Sequence, residues 1–234
     1  MKLKFKIILL FCLMIISIQT ISFASEPNLN SEAAILVEVS TGRIIYEKNS
    51  TKQMYPASTT KVLTAIIVIE NCKLDEIVTV RESALSNIPS GYVTCNLQIG
   101  EQLTVKDLLY ALMIPSANDA AYVLAEYVAG SVEDFSVMMN DKARELGCKS
   151  THFVNPNGIH EESHYSTAYD LYLITNYAMK NEFFRSLVAT TEYTLPSTEK
   201  YPSEDRFLKT TNELLNKSSI KYYYKNAIGI KKLR

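Results

Sequence analysis

The sequence predicts an α+β fold, in which a strand hairpin precedes a long helical lobe and extended segments return towards the C-terminus. Three observations carry this expectation. Residues 33–39 and 43–46 are rich in strand formers and flank Thr41-Gly42, a tight hairpin turn. From Thr60 onward, Val62, Leu63, Ala65, Ile66, Ile67 and Ile69 make a run that is apolar on nearly every helical face, as in a buried helix. Residues 192–195 and 207–210 again read as extended. This order suggests one sheet built from both chain ends, with the helices inserted between them.

In the hairpin, Glu38 and Glu47 are expected near the turn or on the solvent face. A polar loop over 47–55 ends at Pro56, and Ser58 stands at the start of the buried helix. Residues 77–80 read as a short strand. Thr104-Val105-Lys106-Asp107 reads as a capping box before a helix over 108–113, which Pro115 ends. Helices over 117–128 and 132–146 stop at Gly130 and Gly147. Residues 151–154 read as a strand and Asn155-Pro156-Asn157-Gly158 as a turn. Residues 167–180 read as a helix with Thr167 as cap and Asp170 as its N3 partner. No repeat or low-complexity linker divides residues 25–234, which read as one domain.

The chain has 234 residues, 47% hydrophobic and 21% charged, ordinary values for a globular protein. Residues 1–24 read as a signal peptide. Lys2, Lys4 and Lys6 precede an apolar run over 7–18, and Ser22 and Ala24 stand at the −3 and −1 positions of a cleavage site. The apolar run is shorter than the ~20 residues that span a bilayer. Whether cut or kept as an anchor, it implies an exported, extracytoplasmic protein of the cell envelope. Beyond it, 21 basic residues face 25 acidic ones, which excludes a basic nucleic-acid surface. Cys72, Cys95 and Cys148 match no metal or redox spacing, and their odd number argues against a disulfide framework. They read as small apolar filler. His152, His160 and His164 form no ligand spacing either, so neither a metal nor an organic cofactor is expected.

The chemistry lies in two short motifs. Ser-x-x-Lys occurs three times, at Ser58 and Lys61, Ser197 and Lys200, and Ser218 and Lys221. Only Ser58 opens a buried helix, where residues three apart share a face and the amine can meet the hydroxyl. A lysine in a dry site loses basicity and can accept a proton. The helix N-terminus adds a favourable field for a developing alkoxide, and its N–H groups can form one side of an oxyanion hole. The competing reading makes Ser58 or Thr59 an N-cap and Lys61 a snorkelling surface residue. Ser116-Ala117-Asn118, the single Ser-x-Asn, follows Pro115 between two helices. Ser116 reads either as a cap for the helix beginning at Ala117 or as a proton relay between Lys61 and a leaving amine. Asn118 would then bind substrate backbone and Lys61.

These motifs stand 58 residues apart, in the order and spacing of penicillin-reactive serine acyl-transferases. Around them, Ala33-Ala34-Ile35-Leu36-Val37-Glu38, Gly100-Glu101-Gln102-Leu103-Thr104, Asn155-Pro156-Asn157-Gly158, His164-Tyr165-Ser166-Thr167-Ala168-Tyr169-Asp170 and Thr211-Asn212-Glu213-Leu214-Leu215 extend the match from about residue 31 to residue 231. The sequence resembles the low-molecular-weight penicillin-binding proteins that act as D-alanyl-D-alanine carboxypeptidases, serine peptidases of family S11. The resemblance implies a β-lactamase/transpeptidase-like fold. It also implies a cofactor-free acyl-enzyme reaction on peptidoglycan stem peptides ending in D-Ala-D-Ala, with β-lactams as inhibitors. Ser58, Lys61 and Ser116 would be catalytic, and Asn118 and Lys231 substrate-binding. His164 resembles a position near the family's cleft and is assigned no chemistry.

The family's third motif, Lys-Thr-Gly, meets only Lys231 here, because Lys232-Leu233-Arg234 follows. The resemblance therefore implies that three C-terminal strands of a five-stranded sheet and a covering helix are missing. The N-terminal hairpin would then keep an uncovered apolar face and an unpaired edge. Residues 25–234 read as a partial carboxypeptidase domain. The family's C-terminal membrane-binding helix is not matched either, so membrane association is not expected beyond the leader. The alternatives are a non-catalytic muropeptide-binding protein, a remnant, or a β-lactamase that uses Glu161 or Glu162 to activate water. Asp170 is explained by capping.

Overall fold

The computed structural model describes residues 27–86 and 88–231. The signal peptide expected over 1–24 and the last three residues lie outside them. Residues 27–32 carry no helix or strand, and every element belongs to the compact unit from Ala33 to Arg234. Among the described residues no helix is long and apolar enough to cross a membrane.

The hairpin forms as the sequence predicts. Strands β1 (Ala34–Glu38) and β2 (Arg43–Lys48) pair antiparallel, from Ala34 opposite Lys48 to Glu38 opposite Arg43. Thr41 and Gly42 both donate backbone N–H groups to Glu38 O, and Gly42 takes the positive φ of +72° that this turn requires. Leu36, Val39, Ile44 and Ile45 remain exposed.

The centre is helix α1 (Lys61–Asn71), entered through a 3-10 turn over Ala57–Thr60. Its first eight residues are all buried, Lys61 included. It packs against α3 (Val105–Met113), α4 (Asn118–Ala129), α5 (Val132–Glu145) and α6 (Ala168–Ala178). The capping box is present at Thr104 and Asp107, and α3 starts at Val105, three residues earlier than expected. Gly130 closes α4 in the left-handed conformation. Thr167 caps α6. The Asp170 carboxylate, however, accepts from Lys149 N, Ser150 N and the Thr151 hydroxyl, fastening the chain before the 151–166 segment rather than closing a reciprocal box.

Three short elements escaped the sequence reading: α2 (Glu82–Ser86), β4 (Gln102–Thr104) and α7 (Glu182–Ala189). Strand β3 (Ile77–Thr79) pairs with β4, and β5 (Glu192–Thr194) with β6 (Phe207–Lys209). Residues 151–154 contribute one bridge, His152 to Tyr165, instead of a strand. The sheet expected from both chain ends is absent among the described residues, where three separate two-stranded sheets stand in its place. One reason is visible in β5. Tyr193 stacks on Tyr110 of α3, with ring centroids 4.1 Å apart, and donates its hydroxyl to Asp107. That hairpin is thus committed to the helical lobe.

Candidate active site

The 3-10 turn sets the first serine. At three residues per turn, side chains three apart eclipse, so Ser58 and Lys61 share one face. Neither capping alternative holds, because Pro56 and Thr60, the residues at the two cap positions, make no side-chain cap bond and the Thr59 hydroxyl donates to Pro56 O. Ala57, immediately before Ser58, is held at φ +46°. Gly158 lies against it so closely that a Cβ there would sit 1.8 Å from Ala57 O. Only glycine permits that approach, so the Asn155-Pro156-Asn157-Gly158 turn braces the backbone beside Ser58.

Lys61 is fully buried, so it is no snorkelling residue. Its Nζ donates to Asn118 Oδ1 at 2.9 Å and to the backbone carbonyl of Asn157 at 2.8 Å. Burial lowers its pKa to about 7, and the Asp119 carboxylate opposes part of that fall. A neutral amine has two N–H groups and one lone pair. Both N–H groups are satisfied here, which leaves the lone pair free to accept a proton. No hydrogen bond joins Lys61 to the Ser58 hydroxyl among the described residues.

The second motif meets the first at Asn118. Helix α4 begins at Asn118 after Ala117, which makes no side-chain cap bond, so Ser116 is not the cap. Ser116 is instead held at φ +74°, and its buried hydroxyl has no hydrogen-bond partner. Left-handed backbone at non-glycine residues flanks or includes both serines, a form of strain that collects at functional sites. Asn118 donates from its backbone N and its Nδ2 to Val93 O, at 2.8 and 2.9 Å. Asp119 accepts from Cys95 N and Leu97 N, so the first two residues of α4 hold the whole 93–97 segment. Burial raises the Asp119 pKa, and these backbone N–H groups pull it back.

Around these groups lies a cleft of about 400 Å³. Ala57, Ser58, Ser116 and Asn118 line it together with residues 91–93 and 157–160. It thus brings together Ser58, Ser116 and Asn118, and Asn118 binds Lys61. Lys231 is elsewhere. Its Nζ donates to Met113 O at 2.8 Å, and it lines a different cavity with Asn212, Tyr222 and Ile230. Met113 is the last residue of α3, and an unpaired carbonyl at a helix C-terminus attracts a cation. Glu161 and Glu162 are exposed and outside the cleft lining. Cys72, Cys95 and Cys148 are free thiols.

Sequence reasoning passed over two contributors and placed a third, His164, near the cleft without assigning it chemistry. Asn157 and Val93 act through backbone carbonyls, which leave no residue-type signature. His164 is buried against the Ser58 turn: its Nδ1 accepts from Val154 N, so Nε2 carries the proton and donates to the Thr60 hydroxyl at 2.9 Å. Burial lowers its pKa to about 4, which keeps it neutral.

The comparisons with known proteins show the family. The family model described as D-alanyl-D-alanine carboxypeptidase, peptidase S11, matches residues 20–229. The chain is 36% identical over 213 residues to the D-alanyl-D-alanine carboxypeptidase DacF of Bacillus subtilis, covering 88% of this chain and 51% of that protein. It is 35% identical over 219 residues to a D-alanyl-D-alanine carboxypeptidase of Streptomyces sp. strain K15, covering 88% and 73%. The crystal structure of the Streptomyces K15 DD-transpeptidase superposes with a TM-score of 0.79 at 35% identity, covering 89% of this chain and 81% of that one. Penicillin binding protein 5 from Haemophilus influenzae follows with a TM-score of 0.74 at 25% identity, over 82% and 55%. The chain thus spans about half the length of its Bacillus relative. A match over most of this chain, on a fold that sets Ser58, Ser116 and Asn118 around one cleft, places it in the peptidase S11 family, the D-alanyl-D-alanine carboxypeptidases.

Proposed function

We propose that this protein is a serine-type D-Ala-D-Ala carboxypeptidase of the cell envelope, exported by its leader and acting on peptidoglycan stem peptides. Ser58 Oγ attacks the carbonyl carbon between the last two D-alanines, and its proton passes to Lys61 Nζ. Ser116 hands a proton to the departing D-alanine amine as the C–N bond breaks. An ester on Ser58 remains. Water then hydrolyses it, releasing the shortened stem peptide and restoring the hydroxyl. N–H groups in the first turn bind the developing oxyanion. Asn118 positions Lys61 and the substrate backbone, and no metal or organic cofactor takes part. Lys231, engaged by Met113 O, is given no step.

The observation that carries the proposal is the Lys61 environment. A fully buried amine whose two N–H groups meet Asn118 and Asn157 is a base poised near neutral pH. β-Lactams, which mimic the acyl-D-Ala-D-Ala end, should acylate the same serine. Fluorescent penicillin should label the folded chain and fail to label Ser58→Ala. Equal labelling of both, or a folded wild-type chain that takes no label, overturns the assignment; the latter result would leave a muropeptide-binding role.

A further inference from the structure

Residues 214–224 form a compact loop whose ends are tied by Tyr224 N donating to Leu214 O at 3.0 Å. Inside it, Ser219 N donates to Asn216 O, and Tyr222 N and Tyr223 N both donate to Ser219 O. Leu215 is buried and anchors the loop to the domain. Such a short closed loop holds its own shape rather than trailing as a tail. What it presents is unusual. Ile220 is 101% exposed, and Tyr222, Tyr223 and Tyr224 are all exposed beside it. Lys217, Lys221 and Lys225 stand among them, also exposed, with the Lys221 amine 5.0 Å from the Tyr222 ring centre. After Glu213 the sequence has six Lys and Arg residues and no acidic one. Glu213 lines one cavity with Tyr222, and Glu192 lines another with Lys217.

We infer that this loop docks the protein on an anionic lipid bilayer surface. Each part has a matching layer. Tyrosine rings, apolar in body and polar at the tip, settle at headgroup depth. Lysines meet anionic headgroups. A fully exposed isoleucine gains by entering the acyl boundary. The basic character confined to this end of an otherwise acidic domain orients the approach. The inference is independent of the acyl-enzyme proposal, since no residue of the loop lines the Ser58 cleft.

The test uses the chain from residue 25, which retains every described element and removes the apolar leader. Co-sedimentation with phosphatidylcholine vesicles containing phosphatidylglycerol should show binding, and pure phosphatidylcholine vesicles should show little. Salt at about 0.5 M, where charge screening shortens to roughly 4 Å, should strip the protein off. The combined Lys217→Gln, Lys221→Gln and Lys225→Gln variant should lower the partition coefficient about 100-fold. Ile220→Ser should lower it roughly tenfold. Both variants should keep the wild-type thermal transition, because all four residues are exposed. Equal binding to neutral and anionic vesicles, no binding to either, or an undiminished lysine variant overturns the inference. So does capture by a purified anionic cell-wall polymer without binding to vesicles, which would make that polymer the partner.

Discussion

Lys61 shows what one residue can and cannot announce. Its spacing from Ser58 is legible in the sequence, and so is the apolar run that buries it. One of its two oxygen partners, Asn118, is legible too; the other is not, because the Asn157 carbonyl comes from a turn 96 residues away and any residue type could have supplied it. The consequence is kinetic. Below pH 7 Lys61 is protonated and has no lone pair for the Ser58 proton. Acylation by penicillin should therefore rise with pH and level off above a midpoint near 7. The Asp119 charge favours the protonated amine, so Asp119→Asn should move that midpoint to lower pH. Stopped-flow acylation rates across pH 5 to 9, on the order of four units centred on the midpoint, would display both profiles. A midpoint that stays put in Asp119→Asn would remove Asp119 from the control of Lys61.

Among the elements, the 155–158 turn carries more than its sequence suggests. Asn-Pro-Asn-Gly is plain turn chemistry, yet Gly158 presses on Ala57 and Asn157 holds Lys61. Gly158→Ala has to displace the Ser58 turn, and it should reduce penicillin acylation by at least tenfold, roughly 1.4 kcal/mol of barrier. Intact-protein mass spectrometry of the acylated fraction over time would measure it. The segment just after this turn is pinned by His164, whose partners are again a hydroxyl and a backbone N–H. The unfolded chain protonates this ring near pH 6.5, and the folded chain only near pH 4. Stability should then fall as the pH drops from about 6.5 to about 4, by up to about 3 kcal/mol, and be indifferent to this group above that window. Urea unfolding of His164→Gln should lose that share of the acid slope. The helices themselves were legible where periodicity and caps were long and clear, as at Thr104, Thr167 and Gly130. Short elements were read unevenly: β3, β5 and β6 were found but β4 and α7 were not, since so few positions establish no firm period.

At the scale of the molecule, a buried ion pair joins distant parts of the chain. Arg206, before β6, grips Glu101 with both terminal nitrogens, and Thr198 and Gln98 N complete the Glu101 shell. Neither side chain is more than 5% exposed. Removing one partner strands the other charge, so Arg206→Ala should cost about 3 to 5 kcal/mol in denaturant unfolding, whereas an exposed pair such as Arg43 and Glu38 should cost less than about 1. The order of elements, strands then helices then strands, was legible, but how the strands combine was not. A three-residue strand such as β5 has too little pattern to name its partner, and the stacking of Tyr193 on Tyr110 decided the matter. The joint at Asn118 has a consequence for how such a cleft can diversify. Val93 in the cleft lining and the amine of Lys61 hang from the same asparagine. Altering selectivity through the 91–93 side would therefore disturb turnover as well. The 157–160 side is fastened likewise, because Asn157 holds Lys61 through its backbone carbonyl and accepts from Ile159 N through its side chain. A change of fit on either side of the cleft is thus passed to the same amine.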